Sequence, residues 1–183
     1  MRKTRDSILA TFNGSVLEGG YAELGVRELA RKAGVGRSTF YHHFDDKTAL
    51  LVESLDPILA VLADAAAGKG APQLSRVLAH FVEQRANALQ LFRSVDERAA
   101  IEAALAKRVE QHVPRGAALP REAVAAALSR MAIGLIVDWL ASDRRTGCDR
   151  FAAVLKKTAL ACRDALFDAL PATGACAGPV EAP

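Results

Sequence analysis

Arg37, Ser38, Thr39, Tyr41 and His42 fall within six residues, with Lys47 five residues further on. Each carries a donor that suits a phosphate oxygen or a base edge. Such a run is equipped to recognise nucleic acid rather than to make or break bonds. Elsewhere the chain offers no Ser-His-Asp or Cys-His order in a plausible setting and no glycine-rich phosphate loop. His42, His43, His80 and His112 have no metal-ligand spacing, and adjacent histidines on a helix point about 100° apart. The sequence therefore points away from an enzyme and calls for neither metal nor cofactor.

The elements that must position these donors are legible around them. Val26, Leu29, Ala30 and Ala33 recur at i, i+3, i+4 and i+7, the pattern of one apolar helix face. Gly34 is free to take a positive φ and end that helix, and Val35 supplies an apolar plug in the turn. In the next helix Phe40 and Phe44 lie four apart and face inward, leaving the donors outward or on the flank. A helix of eight residues is roughly 12 Å long and matches the roughly 12 Å major groove. Asp46 is placed to cap a further helix, with the Lys47 ammonium beside its N-terminus. Residues 4 to 18, with Ile8, Leu9, Phe12, Val16 and Leu17 at helical spacing, are expected to cover the apolar faces of both short helices. Arg2, Lys3 and Arg5 at the start are either solvated or an arm along phosphates.

Gly20-Tyr21, Val26-Arg27-Glu28-Leu29-Ala30, Ala33-Gly34-Val35, Thr39-Phe40-Tyr41-His42-His43-Phe44 and Lys47-Thr48-Ala49-Leu50-Leu51 together resemble the DNA-binding domain of TetR-family transcriptional regulators. The resemblance covers about the first 50 residues. It departs at Gly25 and Gly36, which stand where the family usually has a capping Thr and a capping Ser. Glycine is a weaker cap than a hydroxyl by a few tenths of a kcal/mol up to roughly 1, so both helix starts should be softened. On the residues and the resemblance together, Arg37, Ser38 and Thr39 are the candidates for base edges, and Arg27, Tyr41, His42 and Lys47 for phosphates.

The composition fits an all-α protein. Hydrophobic residues make up 51% of 183, and proline is confined to 57, 72, 114, 120 and the tail. A net charge of +3 is mild, and residues 1 to 50 hold eight Lys/Arg against six Asp/Glu, so the cations matter by placement. The three cysteines form neither an even disulfide set nor a CxxC pair, which suits a reducing cytoplasm. Ala123 to Ala141 is apolar but contains Ser129, Arg130 and Asp138, so it reads as a buried helix rather than a membrane span.

Three regions are expected: a helix-turn-helix domain over 1–47, a helical ligand-binding and dimerisation domain over 48–170, and a disordered tail over 171–183. Within the second, one helix from Lys47 to about Ala66 should kink at Pro57, and another should run from 73 to 92. Ser94 to Glu97 has the pattern of a capping box starting a helix from 95 to about 112. Helices over about 121–142 and 149–170 follow. Met131 to Ala141 is apolar nearly all round, which calls for a second partner and suggests a four-helix interface between two copies. The resemblance implies the same homodimer, a double-stranded DNA operator as partner, and a small-molecule inducer in the helical body. Candidates to line its pocket are Phe81, Arg85, Phe92, Leu105, Val109, His112 and Trp139. The alternatives are a helical ligand-binding or scaffold protein that has lost DNA reading, and redox sensing through Cys148 or Cys162.

Overall fold

The computed structural model describes residues 2–114, 119–142 and 146–167; the expected tail over 171–183 lies outside them. The helices follow from their apolar spacing. Arg2–Gly19 (α1) buries Ile8 and Phe12, and Val26–Lys32 (α2) buries Leu29 and Ala30. Arg37–His43 (α3) buries Phe40, and Phe44 just beyond it packs on the same core. These three form the helix-turn-helix end. Ala67, Gly68 and Lys69 then matter as much as any helix, because they decide how the rest of the chain doubles back.

The expected helix over 47–66 is two helices, Lys47–Ser54 (α4) and Asp56–Ala66 (α5), divided at Leu55, whose ψ of −1° flattens the turn. Pro57 is the cause. It cannot donate to the Glu53 carbonyl, and it sits in the first turn of α5, where a missing N–H costs nothing. The expected helix over 73–92 is likewise two, Leu74–Glu83 (α6) and Arg85–Arg93 (α7), broken at Gln84 with φ −100° and ψ 27°. No proline or glycine marks this break. It lets α7 lie across the end of α1, where Asn87 Nδ2 donates to the Val16 carbonyl at 3.5 Å.

Val95–Glu110 (α8) starts where the capping-box pattern places it, but Ser94 Oγ donates to the Glu97 carboxylate and caps no backbone N–H. Arg121–Ala141 (α9) and Cys148–Phe167 (α10) complete the fold. α9 has the length and mean hydropathy, 1.6, of a membrane span, and half of its most apolar window is buried inside the protein, against α8 above all. α10 packs on α9, α6 and α5. Trp139 stacks on Phe151 at 4.4 Å and donates from Nε1 to the Thr146 carbonyl at 2.8 Å, which ties the end of α9 to the start of α10.

The end of α5 is a paired C-terminal cap. Gly68 takes φ +73° and donates to the Ala65 carbonyl at 3.1 Å, and Lys69 donates to the Asp64 carbonyl at 2.8 Å. A Cβ on Gly68 would lie 2.5 Å from Leu160 Cδ2 on α10, whereas one on Gly70 meets nothing within 4 Å. Gly68→Ala is therefore expected to destabilise the protein by about 1–3 kcal/mol and Gly70→Ala by much less. Chemical-denaturation midpoints of the two variants check this.

Candidate nucleic-acid interface

The turn between α2 and α3 is built by backbone hydrogen bonds. Gly34 takes φ +69° and donates to the Arg31 carbonyl at 3.1 Å, while Val35 donates to Ala30 at 2.9 Å. This is the same paired cap as at Gly68, and it carries the chain from α2 to α3 in the four residues 33–36. Gly25 and Gly36 are the N-caps of α2 and α3, both extended and neither giving a side-chain bond, as the sequence implies. Burial of Phe40 and Phe44, whose rings are 5.8 Å apart, then fixes the rotation of α3. Arg37, Ser38, Tyr41 and His42 face solvent together, and Thr39 is half-buried beside them. Tyr41 leans edge-on against Phe40 with 47% of its surface exposed, which holds an amphipathic ring upright on a rigid base. Arg27 is exposed on α2.

Arg5 is not part of a free basic arm. It lies within α1, donates from Nε to Glu53 Oε1 on α4 at 2.7 Å, and makes a second bond from Nη2 to the other carboxylate oxygen. Its Nη1 donates to the His43 carbonyl at the end of α3 at 3.0 Å, and the guanidinium lies 4.7 Å from the centre of the Phe44 ring. One side chain thus joins α1, α3 and α4. The hydrogen bond to Glu53 raises its already high pKa, so the guanidinium stays charged. Planar two-pronged pairing of this kind also fixes orientation.

Lys47 is turned toward Tyr21. Its Nζ stands 4.0 Å above the Tyr21 ring and donates to the Tyr21 carbonyl at 3.1 Å. Burial lowers its pKa. An ammonium has three donors, of which this carbonyl takes one. Asp46 caps α4 as the sequence suggests, accepting from the Ala49 N–H at 2.6 Å. Tyr21 is 5% exposed; its hydroxyl lies 3.4 Å from Thr48 Oγ1, and its ring packs edge-on against Phe12 at 6.2 Å.

A cavity of about 300 Å³ lies beneath this assembly, walled by α1, α4, α5, α6 and α7 with Ile101 of α8 and Ile133 of α9. Of the pocket candidates it takes in Phe81 and Phe92, whose rings meet edge-on at 6.3 Å. The other five lie off its lining. Arg85 donates to the Leu140 carbonyl at 2.7 Å, and Leu105 and Val109 are fully buried core. His112 sits between Lys69, at 2.9 Å from Nδ1, and Asp64, at 3.6 Å from Nε2. Trp139 is committed to Phe151 and Thr146. Among the described residues no three His, Cys, Asp or Glu side chains converge on a metal-binding point.

Residues 16–53 match the model of the tetR family of bacterial regulatory proteins. Over those residues the chain carries an N-terminal domain of the TetR type. A curated relative, the HTH-type transcriptional regulator EthR of Mycolicibacterium smegmatis, is 40% identical over 53 residues, 29% of this chain. The match spans about a quarter of that relative's length, 24%. Over the whole fold, a TetR transcriptional regulator from Streptococcus agalactiae is similar at 21% identity and a TM-score of 0.52, covering 86% of this chain and 94% of the other. The Thermus thermophilus TetR-family repressor FadR, solved with lauroyl-CoA, reaches 0.53 at 20% identity, covering 96% and 100%.

The TetR-type motif carries the outward donors, but the residues that hold them in place come from outside it or from its silent positions. Arg5 and Glu53 are 48 positions apart and no periodicity joins them. Tyr21 sits within the motif, yet only the fold turns it under Lys47.

Burial pushes the Tyr21 phenol up from its ordinary 10.0 to about 12. A raised folded value means that its contribution to stability is complete below pH 10 and is lost as the pH rises through 12. The difference in phenolate absorbance between the wild type and Tyr21→Phe should therefore show a midpoint near pH 12. Alkaline loss of helicity in that window should be smaller in the variant, and a midpoint near 10 would contradict the burial.

Proposed function

We propose that this chain is a sequence-specific DNA-binding transcriptional regulator, acting in the cytoplasm as a homodimer on a palindromic operator and working as a repressor released by a small molecule. The observation that carries the proposal is the outward face of α3. Arg37, Ser38, Tyr41 and His42 are exposed together on a helix of seven residues whose inner face is locked by Phe40. At 1.5 Å per residue its length suits the width of the major groove. Arg37, Ser38 and Thr39 stand at the N-terminal end, where a recognition helix meets base edges. Tyr41, His42, Arg27 and Lys47 are assigned in this reading to the phosphates beside a helix seated in the groove.

Support for the homodimer comes from α9 and α10. Met131, Gly134 and Leu135 on α9 are only half-buried, and Val154 on α10 is 46% exposed, an apolar strip that a second copy would cover. Two reading heads related by a two-fold axis read a palindrome whose half-sites lie one or more helical turns apart. A repressor is released when a ligand favours the conformation that cannot seat both heads, and the cavity below α1 offers a place for that ligand.

The test is selection from random double-stranded DNA followed by titration at several salt concentrations. A two-fold symmetric sequence should be recovered. On it, Lys47→Ala and Tyr41→Phe should weaken binding to all sequences alike, and Lys47→Ala should flatten the salt dependence by about 0.9 in the logarithmic slope. Arg37→Ala should cost about 1–3 kcal/mol and relax the preference at one position of each half-site. Recovery of no preferred sequence, with only weak salt-sensitive binding, would overturn the reading.

A further inference from the structure

The cavity is walled on one side by the helix that holds the reading head. Phe12, Asn13, Val16 and Leu17 of α1 face it across from Phe81 and Phe92 of the helical body. Phe12 is 1% exposed and belongs at once to this wall and to the core of the helix-turn-helix end, where its ring meets Tyr21. Eleven residues before Val16 on the same helix, roughly 16 Å along its axis, Arg5 grips the end of α3. α1 is continuous over that distance and held by its burial, so it offers a route from a displacement at Val16 to the His43 carbonyl. The far end of α1 is tied to the body, with Asn87 Nδ2 donating to the Val16 carbonyl, and Gly20 lying beside Asn87 and Gln90.

The lining also states the chemistry it accepts. Among the described residues no lysine, arginine, aspartate or glutamate lines the cavity; its polar groups are Asn13, Ser54, His80, Gln84 and Asn87. An anion or cation entering it would lose its hydration with no opposite charge to replace it. The polar groups suffice to orient one or two uncharged hydrogen-bonding groups. The volume of about 300 Å³ is at the small end for a ligand site.

The geometry points to a neutral, mostly apolar small molecule as the ligand of this cavity, acting on DNA binding directly through α1 and its Arg5 clamp. The lining gives the phosphates of a coenzyme A thioester no lysine or arginine to pair with. This inference rests on the reading of the chain as a ligand-released DNA-binding regulator, whereas the ligand class can be read without DNA.

The test uses the full chain and two dyes with the same ring systems, neutral N-phenyl-1-naphthylamine and anionic 8-anilino-1-naphthalenesulfonate. The neutral dye should bind at least about tenfold more tightly, a difference of about 1.4 kcal/mol. Ala88→Phe, which fills the cavity from α7, should abolish its binding. Leu17→Asp changes a side chain that is 56% exposed, leaves the fold intact, and should weaken the dye at least about fivefold by placing a charge at the rim. Equal binding of the two dyes, or wild-type dye binding in both variants, would overturn the ligand class and the site. The neutral dye should also weaken binding of the selected duplex, and the duplex should weaken the dye by the same factor. In Arg5→Ala, whose side chain is off the cavity, dye affinity should be unchanged while that mutual factor falls toward one. A factor of one in the wild type, or an undiminished factor in Arg5→Ala, would overturn the route through α1. Dye binding as expected with no DNA binding at all would instead overturn the regulator reading and leave the ligand class standing.

Discussion

The structure depends on how α1 is held. Ile8 and Phe12 give this helix its seat in the core, at 0% and 1% exposure, and Arg5 converts the seat into an orientation by gripping Glu53 and the His43 carbonyl together. Asn13, Gly14 and Ser15 are poor residues for a helix interior, so α1 owes its persistence to those contacts and not to its own propensity. α3 is in a similar position. Seven residues cannot sustain a helix alone, and α3 exists because Phe40 and Phe44 are buried in the shared core beside α2. The donors that α3 presents are therefore as well aimed as α1 is well placed.

That dependence gives the molecule a way to connect its two ends. Burial, hydrogen bonding and charge pairing each fix a different degree of freedom of the same helix: Phe12 its depth, Arg5 its relation to α3, and Asn87 the position of its last turn. The break at Leu55 separates α4, which carries Glu53 and packs on both α1 and α8, from α5, which packs on α6, α8, α9 and α10. A rigid helix of 20 residues there would have fixed the head to the body. Two shorter helices around Pro57 leave that relation to the packing of α4 on α8 and to the tie between α1 and Asn87.

The short, local features were legible from residue order. The i, i+3, i+4 and i+7 spacing from Val26 to Ala33 finds α2 with Leu29 and Ala30 inward, and the turn at Gly34 follows from its freedom of φ. Asp46 caps α4 as its position suggests. The break at Gln84 carries no proline or glycine, because it serves a contact to α1 more than 60 residues earlier. The pocket candidates divide for the same reason. Helical spacing marks Leu105, Val109 and Trp139 as apolar and inward, but cannot say whether inward means a cavity or another helix. Arg85, the one permanent charge among the candidates, donates instead to a backbone carbonyl 55 positions away. The α1 wall of the cavity was hidden by the same ambiguity, since Phe12 and Val16 already had a core to fill.

The most direct measurement is a double-mutant cycle on Arg5 and Glu53, read as affinity for the duplex recovered by selection, with helicity of each variant checked. If the pair orients α3, Arg5→Ala and Glu53→Ala should each weaken binding, and the double variant should lose clearly less than the two losses combined. Additive losses, or wild-type affinity in Arg5→Ala, would contradict the claim that α1 holds the recognition helix in place.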